Sequence, residues 1–391
     1  MLRTRCADVG APLFCQGLET MDPPPGTDAQ TAHDAQSGDR NGFSCENCGA
    51  AVRWDPVADA LSCDHCETTQ VVPRAQGLIV ERPLETAGEA ARGLGLEVRV
   101  ARCDECGATV SYDGASTAER CAFCGSANVL AQESNRNALR PESLLPLDVG
   151  RAQAEAAFAK WLGKLWFRPN DLKRASVAEA AGVYVPFWTF DCQVHSDWSA
   201  DAGYYYYVTE TYTTQVNGKT QVRTRQVRKV RWEPAWGARD DHYDDLLVNA
   251  SAGLSTELLD DLGGFDTSAL LPYRPEYLAG WQAEEYSVDL EQGWVVGREL
   301  VEAQQLRRCT GDVPGDTSRN VQVDNALSDI RWKHVLLPVW SLAYTYRGKA
   351  WPVLINGQSG RVAGKAPLSW VKILGAVAAL ASAVGLGLAL S

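Results

Sequence analysis

The chain has 391 residues, which is enough for two or three domains, and its composition of 45% hydrophobic and 22% charged residues is ordinary for a globular protein. With 37 basic and 49 acidic residues the formal net charge is −12, which argues against broad binding to a phosphate backbone. Eight of the twelve cysteines cluster between positions 45 and 124, unlike the dense, even spacing of a secreted disulfide scaffold. A reducing compartment is therefore expected.

The N-terminal 42 residues are predicted to form a disordered tail. Residues 22–42 are rich in Pro, Gly, Asp, Gln and Ser and show no apolar period. Residues 1–20 contain Cys6 and Cys15 but no sustained apolar core, so no signal peptide is recognisable. Met1 and Met21 are the only methionines, and we expect translation to begin at Met21.

The next segment contains an internal repeat of two cysteine sets. Each set has two C-x-x-C pairs separated by fourteen residues, and the second set follows the first at an offset of 58. The Gly-Ala that follows Cys48 recurs after Cys106. This pattern predicts zinc ribbons at residues 43–74 and 101–131, joined by a linker over residues 75–100. The eight candidate metal ligands are Cys45, Cys48, Cys63, Cys66, Cys103, Cys106, Cys121 and Cys124.

The spacing of the cysteines follows from zinc chemistry. Each C-x-x-C pair forms a tight turn, or knuckle, and two knuckles complete a tetrahedral site with Zn–S distances of about 2.3 Å. A glycine after the second cysteine lets the backbone turn, but Glu67 stands there in one knuckle. Four sulfur ligands leave no position for water, so two structural zinc ions are predicted. Thioredoxin-like redox chemistry, the alternative, needs a single pair at the start of a helix.

After a polar linker, residues 141–366 are predicted to form a mixed α+β domain with antiparallel hairpins. Apolar periodicity and β-branched runs predict the individual elements. They are helices at 152–167, 244–262 and 277–308, a buried strand at 182–192, a hairpin at 204–232 around Asn217-Gly218, and a hairpin at 335–355 around Arg347-Gly348-Lys349.

The C-terminal segment, residues 370–390, is predicted to be a transmembrane helix. The nineteen residues from Ile373 to Ser391 carry no charge and are just long enough to span a bilayer at about 1.5 Å per residue. A buried, Ala-rich core helix is the alternative. Positive residues precede the segment, which predicts a single-pass cell-membrane protein with its N-terminal domains in the cytoplasm. A stripe of small residues predicts self- or partner association in the membrane. The stripe consists of Gly375, Ala379, Ala383 and Gly387.

Motifs for catalysis are weak. Gly218-Lys219-Thr220 resembles the end of a phosphate-binding loop, but Thr213 stands where the first glycine is needed. ATP hydrolysis is therefore not expected. His195 lies close in sequence to Asp191, Cys192 and Asp197, which would suit a nucleophile–base pair, although chance proximity is favoured.

A basic strand over residues 223–231 permits two interpretations. Its cations face tyrosines on the other strand of the predicted hairpin, as in a contact for anionic lipid or nucleic acid. The favoured interpretation is a solvated edge strand that charge protects from aggregation.

The paired ribbons and a series of ordered blocks resemble a family of bacterial zinc-ribbon proteins. Members are often labelled primosomal protein N′ (replication factor Y), superfamily II helicase-like. The blocks lie at residues 165–173, 182–192, 244–251, 270–286 and 333–340. The helicase motors are absent from this sequence, so their activity is not carried over. The resemblance implies a C-terminal membrane segment and partners similar to band-7-type (SPFH) and phage-shock-type membrane proteins.

These observations predict a membrane-anchored, non-enzymatic zinc-ribbon protein that acts as a protein-interaction scaffold, with a membrane-stress system as the implied setting. The alternative is a nucleic-acid-binding accessory of replication that uses the ribbons and the basic strand. An enzyme with its site near Asp191–Asp197 ranks last.

Overall fold

A computed structural model describes residues 43–390 apart from short internal gaps. The predicted tail over residues 1–42, including the Met21 start, therefore lies outside the described residues, as does the predicted turn Asn217-Gly218. The gaps are residues 56–57, 74–77, 95–98, 113–119, 125, 127–128, 133–137, 175, 178–179, 217–218, 252 and 348.

The first cysteine set lies in a small antiparallel sheet of its own. Its strands are β1 (Arg53–Asp55), β2 (Ala60–Ser62) and β3 (Thr69–Gln70), in the order β1-β2-β3. These strands are short because two C-x-x-C knuckles occupy the turns between and beside them.

A second, larger sheet contains the remaining strands that the structure describes. In chain order they are β4 (Arg82–Pro83), β5 (Arg99–Cys103), β6 (Thr109–Tyr112), β7 (Val129–Gln132), β8 (Ser143–Leu144), β9 (Ser176–Val177), β10 (Ala181–Val216), β11 (Lys219–Asn249), β12 (Leu271–Pro272), β13 (Gln282–Glu284), β14 (Thr317–Tyr346), β15 (Lys349–Asn356) and β16 (Val362–Gly364).

The described helices are few. The α-helices are α1 (Arg151–Lys164), α2 (Thr256–Leu262), α3 (Leu290–Asp312) and α4 (Trp370–Leu390). Short 3₁₀ turns lie at Leu84–Glu89, Asn170–Arg174, Thr267–Ala269 and Pro275–Leu278.

Three very long antiparallel strands form the centre of the large sheet. β10 pairs with β11 from Phe187↔Asn249 to Val216↔Lys219, and on its other edge it pairs with β14 from Ala181↔Ser341 to Gly203↔Thr317. β15 then pairs with the second half of β14. Both predicted hairpins are thereby confirmed, and so is the mixed α+β class.

The second cysteine set is part of this large sheet. β5 pairs with β6 and β7, and β6 pairs with β13. β13 in turn pairs in parallel with β10. We call each cysteine set, together with the short strands around it, a metal module. Residues 41–391 form one compact unit, so both metal modules and the long sheet belong to the same body.

Helix α3 packs across one face of the long strands. Its Asp289 N-cap accepts a hydrogen bond from the N–H of Gln292 at 2.8 Å, which satisfies a free donor of the first turn. A Cβ on Gly293 would come within 2.5 Å of Trp188 Cδ1, and one on Gly297 within 3.0 Å of Phe190. The two glycines let the helix approach these large rings closely, which buries both of them in the core.

Two of the predicted helices are wrong in their extent. The helix predicted over 244–262 is confined to Thr256–Leu262, because residues 244–249 continue β11, and residues 246–249 pair with Phe187–Phe190 of β10. The helix predicted over 277–308 begins only at Leu290. Residues 275–284 instead form a 3₁₀ turn and β13, which join the two metal modules to the body. The helix predicted over 152–167 is confirmed, although it ends at Lys164.

The predicted C-terminal span corresponds to α4. When only the residues described in detail are counted, no helix is long and apolar enough to cross a membrane. The transmembrane segment over residues 370–390 therefore stays a prediction.

Candidate metal centres

The first centre brings two knuckles together at the edge of the small sheet. Cys45 Sγ lies 3.5 Å from Cys66 Sγ, and Cys48 Sγ lies 3.5 Å from Cys63 Sγ. All four sulfur atoms are within 4.8 Å of one another. Cys45 and Cys63 are buried, whereas Cys48 is exposed, so the centre lies at the surface with its inner half enclosed.

The second centre repeats this arrangement within the large sheet. Cys103 Sγ lies 3.6 Å from Cys124 Sγ, and Cys106 Sγ lies 3.6 Å from Cys121 Sγ. Its four sulfur atoms are also within 4.8 Å of one another. The two cysteine sets, which repeat in sequence, therefore also have the same arrangement of sulfur atoms.

The sulfur distances suit a metal ion better than disulfides. A disulfide holds its sulfurs at about 2.05 Å, and all eight cysteines are free thiols. A tetrahedron with metal–sulfur bonds of about 2.3 Å places its sulfurs about 3.8 Å apart. Since contacts of 3.5–3.6 Å lie close to that spacing and all four sulfurs of each group lie within 4.8 Å of one another, each group could hold one metal ion.

Protonation of the second centre also reflects the crowding of its sulfurs. A hydrogen bond to Cys121 raises the pKa of the Cys106 thiol, and the same bond lowers the pKa of Cys121 to about 5. The thiol of Cys121 is therefore the more acidic of the two. A divalent cation would displace the thiol protons, because it stabilises all four thiolates together.

The turn geometry of the knuckles explains why glycine follows the second cysteine in most of them. The residue after the second cysteine has a positive φ in three knuckles: +73° at Gly49, +79° at Gly107 and +57° at Glu67. In each knuckle the N–H of that residue donates to the carbonyl of the first cysteine at 2.8–2.9 Å. Glu67 thus adopts a conformation that disfavours side chains, at the position where the sequence lacks glycine.

The first centre is attached to the body through Trp54 of β1. The N–H of Trp54 donates to the carbonyl of Ala279 at 2.9 Å, and the Trp54 carbonyl accepts from Trp281 Nε1 at 2.9 Å. The Trp54 ring packs edge-on against Tyr277 with centroids 4.8 Å apart. Its side chain is almost fully buried, so the module has a fixed position on the body.

The second centre lies against the main hydrophobic core. Cys103, Cys121 and the neighbouring Phe123 are buried in the same cluster as Val183 and Leu337 of the long strands. The cysteines of this centre are therefore part of the packing at the centre of the sheet.

Sequence reasoning missed Glu284, which lies beside the second centre. It is buried to 3% exposure, and its Oε1 accepts from the N–H of Gly253 at 3.3 Å. Burial raises its pKa to about 7. No sequence signal pointed to it, because its strand, β13, was predicted as part of a helix.

A further cluster of acidic side chains lies beside Lys333 of β14. The carboxylates of Asp191, Asp244 and Asp245 lie within 4.8 Å of one another. Lys333 Nζ lies 2.6 Å from Asp245 and 2.9 Å from Glu81. The Lys333 ammonium already pairs with Asp245 of this cluster, so we assign no metal to it.

The predicted nucleophile–base group is divided between the two faces of β10. His195 Nδ1 lies 2.7 Å from Asp240 and its Nε2 3.7 Å from Asp197, with the imidazole about half exposed. Cys192 is buried on the other face, three residues away along the strand. Because alternate residues of a strand face opposite sides, Cys192 and His195 cannot act as a pair.

Comparison with known proteins places the chain beside one curated relative. The uncharacterized protein YdjG of Bacillus subtilis (strain 168) is 28% identical over 345 residues, which cover 85% of this chain and 91% of the relative. No protein-family model matches the chain, and no solved structure matches it. The relative therefore supports a shared organisation over most of the length, but it supplies no activity.

Proposed function

We propose that the protein is a zinc-binding, non-enzymatic scaffold that is anchored to a membrane and binds other proteins. The observation that carries the proposal is the closed set of four sulfurs in each centre. Thiolate ligands in tetrahedral spacing favour zinc. Since all four positions are filled by protein sulfur, such an ion has no open site for substrate and acts as a structural element.

A membrane anchor is supported by the surroundings of α4. The N–H of Ser369 donates to the carbonyl of Phe167 at 2.7 Å, so two apolar segments meet where the helix starts. Three side chains there are largely exposed: Trp166 (79%), Leu368 (60%) and Trp370 (70%). Exposed apolar patches of this kind mark interaction sites, and tryptophan favours the interface between a membrane and water. We call Trp166, Leu368 and Trp370 the collar. We propose that the collar lies at the interface between membrane and water and that residues 370–390 enter the bilayer.

Binding of other proteins is the proposed role of the cytoplasmic body. The resemblance to bacterial zinc-ribbon proteins suggests SPFH/band-7-type or phage-shock-type membrane proteins as partners. The two zinc ions would hold the surfaces of the modules in fixed positions, so partner binding should depend on metal.

The experiment compares capture of membrane proteins by three forms of the chain. The wild type, Cys45→Ser with Cys48→Ser, and Cys103→Ser with Cys106→Ser are each crosslinked in native membranes and purified in detergent. The proposal expects a stoichiometric protein partner with the wild type and its loss from at least one variant that remains membrane-bound. A wild type with no crosslinked partner, or one that turns over a substrate, would contradict it.

A further inference from the structure

The end of the β10–β11 hairpin projects beyond the rest of the sheet. β14 stops pairing with β10 at Gly203↔Thr317, whereas β10 and β11 continue from Tyr204↔Arg231 to Val216↔Lys219. We call residues 204–216 and 219–231 the arm. Thirteen residues of strand at about 3.3 Å each give the arm a length of about 40 Å.

The base of the arm is fixed to the body. Asp316 Oδ2 accepts from the N–H of Tyr205 at 2.7 Å, at the point where β14 begins. The Arg319 guanidinium lies 4.1 Å from the centroid of the Trp232 ring and 3.1 Å from Asp201. These contacts hold the two arm strands in line with the three-stranded sheet below them.

The charges of the arm are concentrated on one face. Its register places odd residues of β11 on the same face as even residues of β10. Five of the six arm cations lie on this face, which we call the basic face, and only Arg228 lies on the other. The cations of the basic face are Lys219, Arg223, Arg225, Lys229 and Arg231, and its tyrosines are Tyr204, Tyr206 and Tyr212.

The basic face therefore has two parallel rows, cations on β11 and tyrosines on β10. Arg225 lies 5.6 Å from the Tyr212 ring centroid, and Arg231 lies 5.7 Å from that of Tyr204. The side chains of both arginines remain more than 60% exposed, and Tyr206 is 45% exposed. Arg225 also pairs with Glu210 of the same face at 3.1 Å, and Arg231 pairs with Glu233 at 3.0 Å. The rings and these ion pairs hold the guanidinium groups in place while their side chains stay exposed.

Charge favours an anionic partner. The arm has six cations and a single acid, Glu210, a net of five positive charges in a chain of net charge −12. Electrostatic screening at physiological salt acts over about 8 Å, so most of an arm of this length lies beyond the field of the acidic body. The local charge of the arm then decides what it attracts.

The location of the arm argues against a lipid surface. It extends past the Thr317 end of β14, whereas the helix α4 follows from the opposite end, where Tyr344 donates to the Lys365 carbonyl at 3.0 Å. These ends are separated by most of a 30-residue strand. Protection of an edge strand from aggregation would explain why the arm is charged. It would not explain why the cations lie mostly on one face, opposite a row of tyrosines.

We propose that the basic face of the arm binds single-stranded nucleic acid. Cations beside exposed aromatic rings are the features that such binding uses, because the cations contact successive phosphates and the bases stack on the rings. The proposal is independent of the scaffold function above, which concerns the metal modules and the membrane.

The test measures anisotropy of a fluorescent 30-nucleotide oligothymidylate with zinc-loaded, full-length protein in nonionic detergent. Wild type should bind at physiological salt. Neutralising four cations of the basic face (Arg223→Gln, Arg225→Gln, Lys229→Gln, Arg231→Gln) should reduce the slope of log K against log salt by about 3, since each phosphate contact contributes about 0.7. Tyr206→Ala with Tyr212→Ala should weaken binding by roughly tenfold or more.

Matched controls separate the basic face from general charge. Tyr207→Ala removes an exposed ring from the opposite face, and Arg228→Gln with Arg298→Gln removes cations elsewhere; both should keep affinity within about twofold. Equal zinc content and thermal midpoint establish that each variant folds. The proposal is overturned if wild type does not bind, if both faces contribute equally, or if duplex DNA, polyglutamate or phosphatidylserine nanodiscs compete better than unlabelled oligothymidylate at equal charge.

Discussion

At the scale of single residues, Glu67 shows how a C-x-x-C knuckle tolerates an unsuitable side chain. Its φ of +57° matches that of the glycines in the equivalent turns, and a left-handed backbone costs a non-glycine residue about 1 kcal/mol. We expect Glu67→Gly to raise the free energy of unfolding by up to about 1 kcal/mol, offset in part by entropy of the unfolded chain. Urea titration measures this.

Glu67→Ala is the matched control for that variant. It removes the same exposed side chain but keeps the Cβ that makes the conformation unfavourable. If Glu67→Ala stabilised the protein as much as Glu67→Gly, side-chain charge rather than backbone strain would be the cause, and the explanation would fail.

The cysteines themselves allow a second prediction. We expect two zinc ions per chain by elemental analysis and one after either Cys45→Ser with Cys48→Ser or Cys103→Ser with Cys106→Ser. Both variants should lower the thermal midpoint, because Cys45 and Cys63 share one core cluster with Tyr184 and Leu336 of the long strands, and Cys103 and Cys121 share another with Val183 and Leu337. A zinc count of zero in anaerobically purified wild type, or an unchanged midpoint in either variant, would contradict this.

His334 gives the protein a specific sensitivity to acid. It is fully buried, with Nδ1 2.9 Å from the carbonyl of Leu139 and its ring 4.9 Å from that of Trp188. Burial lowers its pKa from 6.5 to about 4, so the unfolded chain binds more protons between these values. Stability is therefore fully present above pH 6.5 and is lost as the pH falls to 4, by roughly 3 kcal/mol in total.

The variant His334→Gln tests this pH dependence, because glutamine retains a donor for Leu139 but does not titrate. Free energies of unfolding measured between pH 7.5 and 5 should fall less steeply for the variant than for wild type. Loss of zinc in acid affects both proteins, so the difference between their slopes isolates the histidine. Parallel slopes would show that His334 is accessible to protons in the native state.

At the scale of elements, helix α3 depends on glycines for its contact with the sheet. Glycine in a helix interior lowers helix propensity, but Gly293 and Gly297 lie against Trp188 and Phe190, where a larger residue would be crowded. We expect Gly293→Ala to destabilise the protein by roughly 1–3 kcal/mol through overpacking. Gly311→Ala, in the last turn of the same helix with open space around it, should stabilise by about 0.5–1 kcal/mol. Both are measured by chemical denaturation, and a gain with Gly293→Ala would refute the packing account.

Local sequence signals predicted some elements well and others poorly. The two ribbons and both hairpins could be predicted because ligand spacing and turn residues are local properties. Residues 244–249 looked helical, but pairing with Phe187–Phe190 makes them a strand, and long-range pairing has no local signature. Asp289, the N-cap of α3, was a usable signal for the start of that helix.

The candidate sites divide in the same way. All eight clustered cysteines could be named from the sequence, since the C-x-x-C spacing itself brings sulfurs together. Glu284 could not, because it reaches the second centre through the pairing of β13 with β6. Nor could the sequence show that the cations of residues 223–231 lie mostly on one face of a projecting arm, which follows from an uninterrupted register with β10.

At the scale of the whole molecule, two exposed features lie at opposite ends of the long sheet. The arm extends from one end of β14, and the collar of Trp166, Leu368 and Trp370 surrounds the start of α4 beyond the other. The metal modules are attached between them, through β13 and the Trp54 contacts. If α4 enters a bilayer, the arm points into the cytoplasm, where single-stranded nucleic acid and zinc-ribbon thiolates are both accommodated.

The position of the protein relative to a membrane is the last prediction. Residues 373–391 carry no charge, and the exposed tryptophans of the collar suit the interface between lipid and water. We expect the full chain to sediment with membranes and to resist extraction with alkaline carbonate. Carbonate removes proteins that are held by electrostatic contacts, whereas an inserted apolar helix stays in the bilayer. Removal of residues 370–391 should place the protein in the supernatant with both zinc ions retained.

Trp166→Ser with Trp370→Ser, which keeps the apolar segment, should weaken membrane association only modestly. Gly375→Leu with Ala379→Leu should leave insertion intact and reduce crosslinking between α4 helices, since bulky side chains prevent close approach of their backbones. A full-length protein in the soluble fraction, or ribbon cysteines labelled by an impermeant reagent from outside intact cells, would show that this orientation is wrong.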